Sequence, residues 1–178
     1  MATHLHDALG LTREELLRRC DRLTGAKVLF WTLGAKQVGK GALIGGQQVL
    51  QPGLGWIRLW PFDGPLLEVL APGVPVVAET YPAALYHQLN IRPVKRQPSS
   101  RAAASTALLD WARDNHVDVD TLRPDRVRGF ETDDDFDAVI GLLGMINVVR
   151  RRQAEGRPAS DEMLAIEGWM LGLAQVVS

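Results

Sequence analysis

The 178-residue chain carries 20 basic and 21 acidic residues, so no overall field draws it to nucleic acid or a membrane surface, and any such affinity must come from a local patch. Its 46% hydrophobic and 23% charged content is that of globular chains and excludes a disordered or collagenous class. The one cysteine, Cys20, excludes an internal disulfide and a cysteine-built zinc site, and His4, His6, His87 and His116 lack the spacing of ligands on a helix face. The length predicts one domain over 1–178. Residues 1–10 show no basic region followed by an apolar one, and the most apolar run, Phe136 to Val149, is shorter than a membrane span and contains Asp137 and Asn147. A cytoplasmic, reducing location without a membrane partner is the expectation.

In chain order, residues 11–23 set Leu11, Leu16, Leu17, Cys20 and Leu23 along one stripe, with Thr12 and Glu15 spaced as a capping box; this predicts an amphipathic helix. The run 27–33 (KVLFWTL) reads as a strand, and 34–53 as a glycine-rich turn entering a short helix that stops before Pro52. WIRLWPF, 56–62, is apolar enough for a strand and is closed by Asp63-Gly64-Pro65. VPVVAETYP, 74–82, is the clearest strand, with Val76 and Val77 both apolar as in a strand covered on both faces. Pro82 then opens a helix over 83–89, so strand passes directly to helix, an α/β pattern.

Residues 91–101 hold two prolines, two serines and four cations and predict a loop, with Ser100 capping a helix over 101–114. A polar loop to Gly129 follows. Thr132 and Asp135 form a second capping box, after which Phe136, Val139, Ile140, Leu143 and Ile146 make a buried stripe and Arg150, Arg151 and Arg152 complement the helix dipole. Ser160 caps a last helix reaching into 163–177.

Four groups could carry chemistry. Gly34 to Lys40 matches most of a P-loop, but Gly41 stands where the magnesium-binding hydroxyl is needed, so a tight turn competes with nucleotide or phosphate binding through Lys40. Glu79 ends an apolar strand, where open α/β sheets place ligands; such a carboxylate must be ion-paired, metal-bound or at the sheet edge. Asp134 and Asp137, three apart on one helix side, are either metal acids or solvated cap acids, and Gly141 and Gly144 continue that side without side chains, which predicts close packing or access to a site. Arg92, Lys95, Arg96 and Arg101 are either solvated loop charge or contacts to a phosphate backbone. A strand-end Glu with a helix-borne Asp pair suits Mg²⁺, which takes hard oxygens from a few carboxylates.

GAKQVGKGALIGG, WPFDGP, VVAETYPAAL, TDDDFDAVIGLLGM and IEGWMLG occur in that order across residues 34–172. In this ordered set the chain resembles a family of uncharacterised bacterial proteins predicted to be RNase-H-like nucleases. The resemblance implies an α/β fold in which a partial RNase-H-like sheet carries packed helices. It implies hydrolysis of nucleic-acid phosphodiesters with Mg²⁺ or Mn²⁺, Glu79 as the acid of the fourth strand, and Asp134 and Asp137 as helix carboxylates. Lys40, Arg92, Lys95 and Arg96 are the expected substrate cations. The family pattern opens with three antiparallel strands, the first bearing an Asp, and nothing before Leu11 matches them. The expectations are therefore a chain resembling the back part of such a protein, little cleavage by the chain alone, and self-association through the uncovered sheet edge. A non-catalytic interaction domain is the alternative function.

Overall fold

The computed structural model describes residues 10–12, 14–29, 38–118, 132–158 and 160–174. It is mixed α/β with one small parallel sheet. Contacts divide the chain into two compact units, one of Met1–Glu79 with Gly156–Ser178 and one of Thr80–Glu155.

In the first unit the stripe predicted over 11–23 does not form one helix. Thr12 and Glu15 do close their box, with Thr12 donating its backbone N–H to the Glu15 carboxylate at 2.7 Å and Glu15 N–H reaching Thr12 Oγ1 at 3.3 Å. Only a turn follows, because Arg18 is extended (φ −65°, ψ 162°) and gives its own N–H to Asp21 Oδ2, which restarts the helix as α1, Arg19–Thr24. Gly25, at φ +70°, ends it. The strand expected over 27–33 falls mostly on residues outside the described ones.

Helix α2, Val38–Gly45, runs on through a wider π turn, Gly46–Leu50, into α3, Gln51–Gly53. The helical backbone thus passes Pro52 rather than stopping before it. A proline ring in a regular α-helix collides with the carbonyl four residues back; the π turn, in which Gln51 N–H bonds to Gly46 O, relieves the winding just ahead of Pro52.

The two strands predicted over 56–62 and 74–82 exist but are short. β1, Arg58–Leu59, pairs in parallel with β2, Val76–Val77, through Arg58 N–H to Pro75 O and Trp60 N–H to Val77 O, both 2.9 Å. Asp63 completes the expected turn, its carboxylate accepting Leu59 N–H at 2.7 Å ahead of α4, Leu66–Val69. Beyond β2 the chain changes partner, since Glu79 bridges in parallel to Met170 and its carbonyl accepts Leu171 N–H at 2.8 Å. Ser160 caps α8, Asp161–Glu167, through Met163 N–H at 3.1 Å, but Gly168 (φ +66°) ends that helix early, and Trp169, Met170 and Leu171 beyond it are buried.

In the second unit Pro82 occupies the first turn of α5, Pro82–Leu85. Helix α6, Pro98–Asp114, begins three residues before the expected start: Pro98 supplies the first turn with its fixed φ, and Ser100 accepts Val94 N–H at 2.8 Å instead of capping. Helix α7, Asp133–Val149, opens on the Thr132/Asp135 box, closed by two hydrogen bonds of 3.1 Å. Phe136, Ile140 and Leu143 of its stripe are buried against Leu85, Leu89, Ile91, Ala104 and Leu108, with Val139 and Ile146 packed partly buried at the margin. Arg150, at the end of α7, donates to the carbonyls of Asn115 and His116 just past α6.

The glycines of α7 are explained by close packing. A Cβ at Gly144 would lie 2.4 Å from Leu85 Cδ1, and one at Gly141 would lie 3.0 Å from Thr80 Oγ1. Leu85 of α5 and Thr80 just ahead of that helix therefore lie directly on α7, offsetting the roughly 1 kcal/mol each glycine costs in helix propensity. Among the described residues no helix is long and apolar enough to cross a membrane.

Candidate acid sites and their countercations

Glu79 is positioned by its backbone bridge to Met170, and its carboxylate is held face-on by one guanidinium. Arg18 Nη1 donates to Oε2 at 2.6 Å and Nη2 to Oε1 at 2.7 Å. The same arginine turns its other edge to Asp21, with Nε to Oδ2 at 3.0 Å and Nη2 to Oδ1 at 2.8 Å. One cation thus bridges two carboxylates, of which Asp21 is completely buried and Glu79 is 36% exposed at the side chain. Burial works against the charge on Arg18, but its hydrogen bonds to Glu79 and Asp21 outweigh that and raise its pKa further above the ordinary arginine value. Of the three situations open to a strand-end acid, Glu79 is in the ion-paired one.

Cys20 sits beside this network with no solvent exposure, and burial pushes its thiol up to about 11, against the pull of Arg18. It is a thiol, not a thiolate, at neutral pH. A folded-state pKa above the free value of 9.0 means that the native state holds its proton longer than the unfolded chain does. This contribution to stability is complete below pH 9 and is lost as pH rises towards 11. Unfolding midpoints measured across that window should fall with pH, with a shallower fall in Cys20→Ala; an equal slope in both proteins would assign the pH dependence elsewhere.

The helix acids lie in the second unit. Asp133, Asp134 and Asp135 form the first turn of α7, where Asp135 is spent in the capping box and Asp134 is exposed. Asp137, one turn on, is ion-paired through Oδ2 to Lys95 Nζ, while its Oδ1 is buried with no hydrogen-bond partner among the described residues. Tyr86 lies close by, stacked at a tilt on Phe136 with ring centres 6.3 Å apart; burial, and then the Asp137 charge, pushes its hydroxyl up to about 12. Lys95 is set in place by Arg101, whose Nη1 donates to the Lys95 carbonyl at 2.6 Å.

Of the four cations assigned to one loop, only Arg92 and Arg96 are exposed. Lys95 is engaged with Asp137, and Arg101 is 5% exposed within α6. Lys40 is exposed on α2, whereas positions 34–37 of the P-loop-like segment lie outside the described residues. Glu79 belongs to one compact unit and Asp134 and Asp137 to the other. Among the described residues no group of three or more His, Cys, Asp or Glu side chains is placed to hold a metal ion.

Sequence reading missed Arg18 and Asp21. The signal was their spacing of three, which permits an ion pair on one helix turn, but the 61-residue separation between Arg18 and Glu79 leaves no local trace. No protein-family model, curated protein or solved structure matches the chain.

Proposed function

We propose that this chain is part of an RNase-H-like, metal-dependent nuclease, with Asp134 and Asp137 as helix carboxylates for Mg²⁺ or Mn²⁺, Glu79 as a further acid, and a nucleic-acid phosphodiester as its substrate. The observation that carries the reading is Asp137. A buried carboxylate oxygen without a donor is costly, and a hard oxygen with an open lone pair suits a divalent cation. The ordered resemblance of residues 34–172 supports the same assignment. When bound, the ion would stabilise charge on the reacting phosphoryl group and lower the pKa of an attacking water. The chain's own parts are α7, which presents Asp134 and Asp137 three residues apart, and exposed Arg92 and Arg96, which attract the phosphate backbone.

A second reading, a non-catalytic interaction domain that retains these acids, is favoured by the Arg18 bridge. A guanidinium shared between a buried and a half-exposed carboxylate is equally the pattern of a structural ion pair.

Purified protein should be assayed with Mn²⁺ on single-stranded, double-stranded and hybrid nucleic acids, beside Glu79→Gln and Asp137→Asn. Slow cleavage is expected from the parent, because both acids must first leave their countercations, and none from either variant. Absence of cleavage together with unaltered Mn²⁺ binding in both variants would overturn the nuclease reading and leave the interaction domain.

A further inference from the structure

We propose that the apolar surface built by residues 43–62 of the first unit is the two-fold interface of a homodimer. The inference is independent of the nuclease reading. Six of the thirteen large apolar side chains that stand exposed among the described residues fall in this stretch: Leu43, Ile44, Val49, Leu54, Trp56 and Phe62, at 45–65% exposure. Scattered single apolar residues are ordinary on a surface, whereas a concentration of this kind marks an interaction site. The backbone that presents it is fixed. α2 winds without a break through the π turn into α3, and Ile57 then packs down on Gly53, where an added Cβ would lie 3.0 Å from Ile57 Cδ1. The segment bearing Trp56 is thereby folded back on the end of the helical run, with Ile57 buried and Trp56 turned outward. Beyond β1, Phe62 rests its ring tip at Gly168, where an added Cβ would lie 2.8 Å from Cζ. A ring held in place while more than half exposed gives up little freedom when a partner covers it.

Charge selects the occupant. Residues 41–62 carry one charged side chain, Arg58, in a chain that is 23% charged. A nucleic-acid backbone or an anionic lipid surface is met by clustered cations, and a charged protein partner by a patch of opposite sign; this surface offers neither. A neutral surface can instead face its own copy without like charges meeting, as contact across a two-fold axis requires, and a net charge of −1 leaves no long-range repulsion between copies. Exposed Gln47, Gln48 and Gln51 add amides that both donate and accept, and so pair with identical amides. The area fits as well. Two aromatic and four aliphatic side chains, each about half exposed, present roughly 450 Å². An interface of standard size takes about 800 Å² from each partner, a little over half of it apolar. Pairing through the edge of β1 is the poorer route, since that strand gives the N–H groups of Arg58 and Trp60 to β2 and that of Leu59 to the Asp63 carboxylate.

The test is sedimentation equilibrium of the whole chain across micromolar concentrations, which needs no activity. Val49→Glu sets a charge into the surface, Trp56→Ser removes its largest ring, and Leu142→Glu changes an equally exposed apolar residue of α7 in the other unit as the control. All three positions are exposed, and matched melting curves from circular dichroism establish that the variants are folded. The parent is expected to show a monomer–dimer equilibrium, weakened roughly 10-fold or more by Val49→Glu and by Trp56→Ser and left as in the parent by Leu142→Glu. A parent that is monomeric at every concentration would overturn the proposal, and flotation of that monomer with phosphatidylcholine vesicles would assign the surface to lipid instead. A dimer whose affinity neither Val49→Glu nor Trp56→Ser changes would overturn it equally, by placing the interface elsewhere.

Discussion

Replacing Arg18 with Met should destabilise the protein by about 3–5 kcal/mol, because it strands a carboxylate that has no access to water. Asp21 has a side-chain exposure of 0% and receives two of its hydrogen bonds from the Arg18 guanidinium. The backbone N–H of residue 18 remains as a donor, but no positive charge does. Glu79→Gln should cost far less, roughly 0.5–1.5 kcal/mol, since Arg18 keeps Asp21 and a half-exposed amide can turn to solvent. The double variant Arg18→Met/Asp21→Asn should recover much of the loss, as neutralising the buried partner removes the uncompensated charge. Urea unfolding of the four proteins measures this directly. Equal losses for Arg18→Met and Glu79→Gln, with no recovery in the double variant, would mean that Asp21 is not the group that needs the arginine.

The same residues show how far the sequence could be followed. That Glu79 needs a partner was legible, because a carboxylate closing the apolar run of Val76 and Val77 cannot be left alone. Its partner was not, because the pairing joins α1 to the end of a strand across 61 residues. Local chemistry read well wherever it was self-contained: the Thr132/Asp135 box, the Ser160 cap and Pro82 in a first turn all lie where the sequence set them. It failed where two local signals competed. Residues 11–23 hold two N-terminal signals in series, and the second, Asp21 taking the N–H of Arg18, breaks the helix that the apolar stripe alone would predict. The strands were recognised but not their length, and Val76 and Val77, expected to be covered on both faces, are each only partly buried. Prolines 61 and 75 bound the ladder, and after β2 the chain leaves its first partner for Met170, a change of neighbour that alternation cannot encode. Asp137 was picked out by its spacing from Asp134, whereas its lysine was assigned to substrate because charge alone does not reveal which cation turns inward.

The return of the chain into the first unit makes a second large effect predictable. Gly156 is at φ +80°, and a Cβ added there would stand 2.2 Å from the carbonyl oxygen of Leu173 and 2.9 Å from its carbon. Two costs then add. The left-handed backbone costs a non-glycine residue about 1–2 kcal/mol, and the clash is with main chain, which cannot rotate away as a side chain does. Leu173 is itself fixed, since its carbonyl accepts Trp169 Nε1 at 2.9 Å and its N–H bonds to Met170 O at 3.1 Å. Relieving the overlap therefore means shifting the segment that carries the buried Trp169 and Met170, the latter being the bridge partner of Glu79. Gly156→Ala should lose about 3–4 kcal/mol in all, with overpacking supplying the larger share. Gly73 provides the control: its φ of +76° is nearly the same, but nothing lies within 4 Å of an added Cβ, so Gly73→Ala should lose only the backbone contribution. Denaturant midpoints of the two alanine variants separate strain from contact, and a loss at position 156 no greater than at position 73 would show that the approach of Leu173 does not constrain the fold.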